Sequence, residues 1–226
     1  MVESKGRSTV PKEVTNQYSL RGKVFHRIRE DILSGKYHEN EELKEATIGA
    51  ECGVSRTPVR EALRQLELEG LVKITPNKGA YVTGISDKDT RDIYVIRSYL
   101  EGLAARWACQ HISEAEIEDL EEIVYLSEFH VKKQHYEQLV ELDNKFHESI
   151  YRASGSKILE QQLTTYHQYL ERFRKKSLQK EERALQSNGE HLAILEAMRR
   201  KDGNLAEKLA HEHIIHAIET MNQEGL

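Results

Sequence analysis

Four side chains in the C-terminal part of the chain have the types and spacing to bind a divalent metal ion. Asp143 and His147 in "LDNKFHESIY" lie four residues apart, so on a helix they project from the same face. His191 and His213 each belong to an apolar helical stripe, and we expect both imidazoles to face inward. One carboxylate and three imidazoles can bind zinc, nickel or manganese and leave coordination positions open for water or a ligand.

The same histidines also have a simpler interpretation. The chain has 11 histidines, and a histidine on an apolar stripe is more often a hydrogen-bonded core or surface residue than a ligand. We assign the following to that class: His111, His130, His135, His167, His211 and His216. His216 is the nearest competitor for the metal because it lies one turn from His213.

Arg97 is a candidate for binding a small organic acid. It shares a helical stripe with apolar residues, so its guanidinium is directed inward. One role is an internal salt bridge, either with Glu101 four residues later or with a glutamate on another helix. The other role is to bind the carboxylate of an effector above the metal. Both roles remain open from the sequence.

A row of arginines suggests a second kind of chemistry. Arg56, Arg60 and Arg64 recur at four-residue intervals in "CGVSRTPVREALRQLELEG". With Ser55 as the N-cap, Arg56, Thr57 and Arg60 lie at the start of a helix. An arginine fork can bind guanine or pair with a phosphate. The alternative is a solvated helix whose arginines pair with Glu61, Glu67 and Glu69.

The elements around this row predict a winged helix-turn-helix domain over residues 20–86. Apolar spacing predicts helices over 23–33, about 42–52 and 55–70, and "LVKI" and "AYVTG" alternate as strands around the turn "TPNKG". In this fold the second helix of the motif enters the major groove. Lys78 and Gly79 form the wing tip and could reach the adjacent backbone or minor groove.

Residues 87–226 are predicted to form an all-α antiparallel helical bundle. Ser86 or Asp87 can cap its first helix, and Ser113 and Glu116 have capping-box spacing for the second. Further helices are expected at about 134–152, 156–176, 181–201 and 203–223. Residues 1–19 have little periodicity and are predicted to be a mobile arm.

Composition excludes several classes of protein. Of 226 residues, 38% are hydrophobic and 31% charged, and no long apolar run or signal core is present. We therefore expect a cytoplasmic protein without a membrane partner. The two cysteines, Cys52 and Cys109, are too far apart to indicate a thiolate zinc site. The net charge of −5 is concentrated in residues 87–226, with 19 basic against 26 acidic residues, so the N-terminal part can still face phosphates.

Two stretches resemble known families. "LKEATIGAECGVSRTPVREALRQLELEGLVKITPNKGAYV" resembles the DNA-binding domain of the GntR family of bacterial transcription regulators. This resemblance implies that Arg56, Thr57, Arg60 and the wing at Lys78 and Gly79 contact DNA. The segments D-x3-H, E-H-x2-I-L and A-x6-H-I resemble the metal-binding FCD effector domain of the FadR branch of that family.

We therefore predict a ligand-responsive, homodimeric transcription regulator rather than an enzyme. Its partners would be operator DNA, a divalent metal and a small carboxylate effector. An alternative is a metal-dependent hydrolase or oxygen-using enzyme, because such a centre could activate water. No general base or nucleophile is evident beside the ligands, however. A third hypothesis is a metalloregulator in which the metal itself is the signal.

Overall fold

A computed structural model describes residues 19–223. The predicted arm at residues 1–19, apart from Ser19, lies outside the described residues. The described chain forms two compact units, of which the first ends at Ile85 and the second begins at Ser86. Within the described residues there are ten helices and one two-stranded sheet. The prediction of a mainly α protein is therefore confirmed.

The first unit has the element order of a winged helix-turn-helix. Its elements are α1 (Leu20–Leu33), α2 (Glu45–Cys52), α3 (Arg56–Leu68), β1 (Val72–Thr75) and β2 (Gly79–Val82). The two strands are antiparallel, with Val72 opposite Val82. Only three residues separate α2 from α3, and Gly53 ends α2 in the left-handed conformation at φ 65°.

Helix α3 presents one face to the core and another to solvent. Val59, Ala62, Leu63 and Leu66 have the i, i+3, i+4, i+7 spacing of an amphipathic helix, and each is at most 1% exposed. Ser55 occupies the N-cap position in an extended conformation. Because the apolar residues fix the orientation of the helix, its arginines are left on the exposed face.

The second unit consists of helices in all its described elements. These are α4 (Asp87–His111), α5 (Glu114–Lys133), α6 (Tyr136–Ala153), α7 (Lys157–Tyr169), α8 (Glu171–Leu178), α9 (Glu181–Arg199) and α10 (Gly203–Gln223). Ser86 caps α4 in a capping box with Asp89. Ser113 and Glu116 form the capping box of α5 that their spacing predicts.

One predicted helix is broken in the structure. The sequence predicts a single helix over 156–176, whereas the chain forms α7 and α8 with Leu170 between them. No Gly or Pro marks the break, and apolar spacing alone therefore predicts a continuous helix. The new direction of α8 buries Arg174 and Leu178, and Leu170 itself is fully buried.

Helices α4 and α10 pack closely, and their contact brings the elements of the site together. A Cβ atom at Gly102 would lie only 2.8 Å from the backbone oxygen of Glu207, so any larger residue would push the helices apart. A buried core that includes Phe146, Ile194 and Met198 lies beside this contact. No helix in the described part of the chain is both long and apolar enough to cross a membrane.

Candidate metal centre and nucleic-acid interface

Three histidines from three helices converge in the second unit. His147 on α6, His191 on α9 and His213 on α10 each offer one ring nitrogen within 4.8 Å of the others. All three side chains are buried, with exposures of 2%, 4% and 5%. Imidazoles packed this closely repel one another if they are protonated, whereas neutral imidazoles can share a cation.

Asp143 lies beside the three histidines. Its Oδ1 atom is 3.8 Å from Nε2 of His147 and 3.8 Å from Nε2 of His191. The other oxygen, Oδ2, accepts a hydrogen bond from Arg174 on α8. Burial raises the pKa of Asp143, but the charge of Arg174 and the neighbouring histidines outweigh burial and keep this pKa below its usual range. The carboxylate is therefore ionised, with Oδ1 directed to the histidines.

Two further carboxylates determine which nitrogen each imidazole presents. Nδ1 of His147 lies 3.2 Å from Oε2 of Glu101, and Nδ1 of His213 lies 2.6 Å from Oε2 of Glu190. An ionised carboxylate can only accept, so each Nδ1 carries a proton and donates it, and in the neutral ring the lone pair then lies on Nε2. Histidines that bind metals commonly have such a partner, which fixes both tautomer and ring orientation.

Each of these glutamates is in turn paired with a buried arginine. Nε of Arg97 lies 2.8 Å from Oε1 of Glu101, and Nη1 of Arg183 lies 3.0 Å from Oε2 of Glu190. Burial opposes the charge of Glu190, but hydrogen bonds from His213 and Arg183 outweigh it and lower the pKa of Glu190 to about 2. For Glu101, burial is outweighed by His147, Arg97 and Tyr151 beside the carboxylate, and its pKa is also lowered.

His191 supplies the test of whether these residues fit a metal. Its Nε2 atom is buried and has no hydrogen-bond partner among the described residues. The ring stacks on Phe146 with centroids 4.1 Å apart. Burial, together with His213 and His147, lowers the pKa of His191 well below its usual value, so the imidazole is neutral near pH 7. A buried ring nitrogen without a partner is costly, and a cation bound to its lone pair would remove this cost. The donor set therefore fits a metal such as zinc, nickel or manganese.

A cavity opens next to the histidines. It encloses about 360 Å³, including its opening to solvent. Its polar lining includes Tyr94, Arg97, Arg174, Ser177, Arg183 and Ser187, together with Asp143, His147 and His213 of the cluster. The predicted effector residue Arg97 thus lines the cavity and also forms the internal salt bridge with Glu101 that was its other predicted role.

Several residues of this site are absent from the sequence prediction. Arg174 and Arg183 lie in charged stretches with no distinguishing pattern, and Glu190 stands directly before His191. Of the histidines assigned to the core or surface, His167 is buried and its Nε2 lies 2.9 Å from Oδ1 of Asn144. His216 is half-exposed and lies against Glu190 rather than in the cluster.

The arginines of α3 are all on the exposed face of the first unit. Arg56, Thr57, Arg60 and Arg64 are exposed. Arg60 is bound to Glu45 on α2 through two hydrogen bonds, Nε to Oε1 at 2.9 Å and Nη2 to Oε2 at 2.8 Å. Two of the three acidic partners considered for these arginines have other contacts: Glu69 pairs with Arg29, and Glu67 accepts the backbone N–H of Ile74.

Glu45 has a position among the arginines that sequence spacing does not reveal. The hydrogen bonds from Arg60 lower the pKa of Glu45, and the charges of Arg56 and Arg64 act in the same direction. A carboxylate that holds one guanidinium in a fixed orientation reduces the entropy that this arginine loses on binding a base or a phosphate.

The wing carries its cation at the turn between the strands. Lys78 is exposed, and its carbonyl accepts a hydrogen bond from the hydroxyl of Tyr81 at 2.9 Å. Gly79 follows with φ 114°, a conformation that disfavours side chains. The wing tip therefore has a defined backbone and an exposed lysine at its end.

Two parts of the chain match known families. Residues 20–82 match the family described as "Bacterial regulatory proteins, gntR family", and residues 92–216 match the "FCD domain". The chain is 25% identical to the HTH-type transcriptional repressor RspR of Escherichia coli (strain K12) over 215 residues, which is 95% of this chain and 94% of that protein. It is 33% identical to the Nta operon transcriptional regulator of Aminobacter aminovorans, over 79% of this chain and 84% of that protein.

A solved structure supports the same fold. The structure of E. coli McbR/YncC superimposes with a TM-score of 0.74, covering 92% of this chain and 99% of that chain at 20% sequence identity. At this identity the similarity establishes the fold alone.

Proposed function

We propose that this chain couples DNA binding to a divalent metal and a small organic acid. The chain belongs to the gntR family of bacterial transcription regulators and carries an FCD domain. The relatives in the comparison are transcriptional regulators, and this favours a regulator over a metal-dependent hydrolase or oxygen-using enzyme. The metal, the acid, the dimer and the site residues are the parts that need testing.

The metal proposal rests mainly on the unpartnered Nε2 of His191. This atom lies in a group whose other two imidazoles are held by carboxylates through Nδ1, so that three Nε2 atoms are available to one cation. Asp143 would add Oδ1 as the fourth ligand. Bound there, the metal would supply a Lewis-acidic centre with open positions for an oxygen ligand.

The acid would bind in the adjacent cavity. Arginines and hydroxyl groups line this space, and guanidinium groups bind carboxylates with two parallel hydrogen bonds. The cavity is formed by residues of α4, α6, α8, α9 and α10. An acid that contacts several of these helices can change their relative positions, and this is how occupancy would affect the DNA-binding unit.

The DNA-binding proposal rests on the exposed start of α3. Arg56, Thr57 and Arg60 would face base edges and phosphates in the major groove, and Lys78 and Gly79 would contact the backbone or minor groove from the wing. Glu45 would orient Arg60 for this contact.

A homodimer would present two such helices to two half-sites. One recognition helix reads only a few base pairs, so a specific operator requires a symmetric pair. Helix α4 offers an apolar surface for a second copy, because four large side chains are exposed on it: Val95, Ile96, Tyr99 and Trp107. Such a cluster is characteristic of an interaction surface.

The decisive experiment measures metal content and DNA binding on the same full-length protein. A high-affinity duplex is selected from a random-sequence pool, and its affinity is measured with zinc, with chelator, and with small acids at constant zinc. We expect about one metal per chain, its loss in His191→Ala but not in the exposed-site control His111→Ala, and weaker or stronger DNA binding when an acid is added.

Each part of the proposal can fail separately. Protein that is free of stoichiometric metal after growth with excess zinc, nickel or manganese contradicts the metal site. DNA affinity that responds to metal but to none of the acids indicates a metalloregulator instead.

A further inference from the structure

Three buried arginines line the cavity beside the histidines. Arg97, Arg174 and Arg183 come from α4, α8 and α9 and are 1%, 7% and 6% exposed. Each is paired with one carboxylate, and these are Glu101, Asp143 and Glu190 respectively. The three positive and three negative charges cancel, which is the condition under which so many ionised groups can be buried together.

A divalent cation at the histidines would change this balance. An imidazole binds a metal in its neutral form, so His147, His191 and His213 would add no charge of their own. With the metal bound, the buried cluster would carry two positive charges without a counter-charge. Uncompensated charge in a low-dielectric site is costly, so a ligand with two negative charges would bind more favourably than a ligand with one.

Arg174 has a hydrogen-bond donor available for such a ligand. Its Nη1 donates to Oδ2 of Asp143 and its Nη2 donates to Oδ1 of Asn144 at 2.6 Å. Its Nε is buried and has no hydrogen-bond partner in the described part of the chain. Hydroxyl groups of Ser177, Ser187 and Tyr94 line the same cavity and could complete a second acceptor-binding position.

The carboxylate of Asp143 separates the two positions. Its Oδ1 is directed to the histidines and its Oδ2 to Arg174, so the metal ligands and the arginine lie on different sides of one carboxylate. A ligand that reaches both positions therefore needs two acceptor groups some atoms apart. Because both positions adjoin the same carboxylate, a short chain between the two acceptor groups is sufficient.

We propose that the effector is a short dicarboxylate, with one carboxylate at the histidine-bound metal and the other at Arg174. This inference rests on the proposed function, because it requires the metal to bind at the three histidines. It adds the charge of the ligand and assigns Arg174 as the residue that selects for the second carboxylate.

The test uses ligands that differ in one charge at constant length. Zinc-loaded full-length protein in phosphate-free buffer is titrated calorimetrically with malonate, succinate and glutarate, and with their half-amides malonamate, succinamate and glutaramate. We expect one dicarboxylate to bind at least tenfold more tightly than its half-amide. Equal binding of every such pair overturns the proposal, and so does the absence of binding by all six to protein with confirmed zinc. If inorganic phosphate binds more tightly than every dicarboxylate, the site prefers a compact dianion, and the dicarboxylate proposal is wrong.

A variant pair tests the role of Arg174. Arg174→Gln removes the charge and keeps much of the side-chain volume, and Arg172→Gln is the control because Arg172 is exposed on the same helix. Both are measured at zinc saturation, verified by metal analysis. We expect the preference for the dicarboxylate to fall to near that of the half-amide in Arg174→Gln and to persist in Arg172→Gln. If the Arg174→Gln protein keeps the full preference for the dicarboxylate over its half-amide, Arg174 does not select for the second carboxylate.

The metal site and the preference for a dicarboxylate can fail independently. If no zinc binds at the three histidines, the proposed metal site is wrong and the charge argument fails with it. If zinc binds and the ligands show no preference for two charges, the metal site stands and the dicarboxylate proposal alone is wrong.

Discussion

The carboxylate of Glu190 on α9 lies 2.6 Å from Nδ1 of His213 on α10 and thereby determines which nitrogen of this histidine faces the cluster. The same carboxylate accepts from Arg183 and contacts Nδ1 of His216 at 2.7 Å, so it links two helices at the candidate metal centre. A histidine is a better ligand when its tautomer and orientation are fixed before the metal arrives.

Glu190→Gln should therefore weaken metal binding without abolishing it. An amide can donate as well as accept, and it removes the negative charge that increases the basicity of His213. We expect zinc affinity to fall by about 10–100-fold, the range usual for loss of such a partner. The measurement is competition with a chromophoric chelator, and the exposed Glu182→Gln on the same helix is the control. Equal zinc affinity of the Glu190→Gln and Glu182→Gln proteins would count against the orienting role.

Arginine substitutions on α3 should weaken specific DNA binding. Arg56→Ala or Arg60→Ala removes a guanidinium from the exposed start of the helix, and each should cost about 1–3 kcal/mol of specific binding free energy. Arg64→Ala, one turn further along, should cost less. Fluorescence anisotropy with the selected duplex measures the effect, with circular dichroism as the control for folding. Full affinity in the Arg56/Arg60 double variant would refute the assignment.

Lys78→Ala should lower affinity by a similar factor for all DNA sequences. Lysine on the wing is expected to contact phosphate rather than bases, and a phosphate contact carries no sequence information. The slope of log affinity against log salt concentration should become shallower by about 1. Selected and random duplexes are titrated in parallel over a range of salt concentrations. A loss confined to the selected duplex, with an unchanged slope, would instead indicate base recognition by the wing.

Acid should destabilise the chelator-treated protein through its buried neutral histidines. Burial, with the charge of Arg174, lowers the pKa of His167 well below its usual value of about 6.5. As pH falls below about 6.5, the unfolded chain binds a proton that the folded chain does not, so unfolding becomes more favourable. His167 alone would lower the free energy of unfolding by about 1.4 kcal/mol in total between pH 7.5 and 5.5.

The stability test compares unfolding free energies between pH 7.5 and 5.5. His167→Gln should flatten the dependence on pH, whereas His111→Gln at an exposed position should retain it. His191 and His213 also have lowered pKa values, so a reduced dependence should remain in His167→Gln. If the free energy of unfolding depends on pH equally in wild type and in His167→Gln, His167 is not held neutral by the fold.

Charge on the exposed face of α4 should disrupt the dimer. Tyr99 is 68% exposed beside Val95 and Ile96, and a carboxylate there would face its counterpart or an apolar surface across a two-fold axis. We expect light scattering to show a dimer for wild type and a larger monomer fraction for Tyr99→Glu. Lys88→Glu, at the exposed start of the helix, is the charge control. A monomeric wild type, with and without operator DNA, contradicts the dimer.

The amino-acid sequence alone determines the faces of the helices. Apolar residues at helical spacing direct His147, His191 and His213 inward and leave Arg56 and Arg60 outward, because helical periodicity relates each side chain to the apolar stripe of its own helix. The capping residues at the starts of α4 and α5 are likewise local, since Ser and its partner are only three residues apart. Family resemblance depends on the same local patterns.

Only the tertiary structure determines which residues of different helices meet. Glu101 reaches His147 across 46 positions, and Arg174 reaches Asp143 only because the chain bends at Leu170. Arg60 pairs with Glu45 on the preceding helix rather than with a glutamate of its own helix. Helical periodicity determines the direction in which a side chain points around the axis of its own helix. It does not determine how far one helix is shifted along another. That offset depends on close packing such as the contact between Gly102 and Glu207, which no spacing in the sequence expresses.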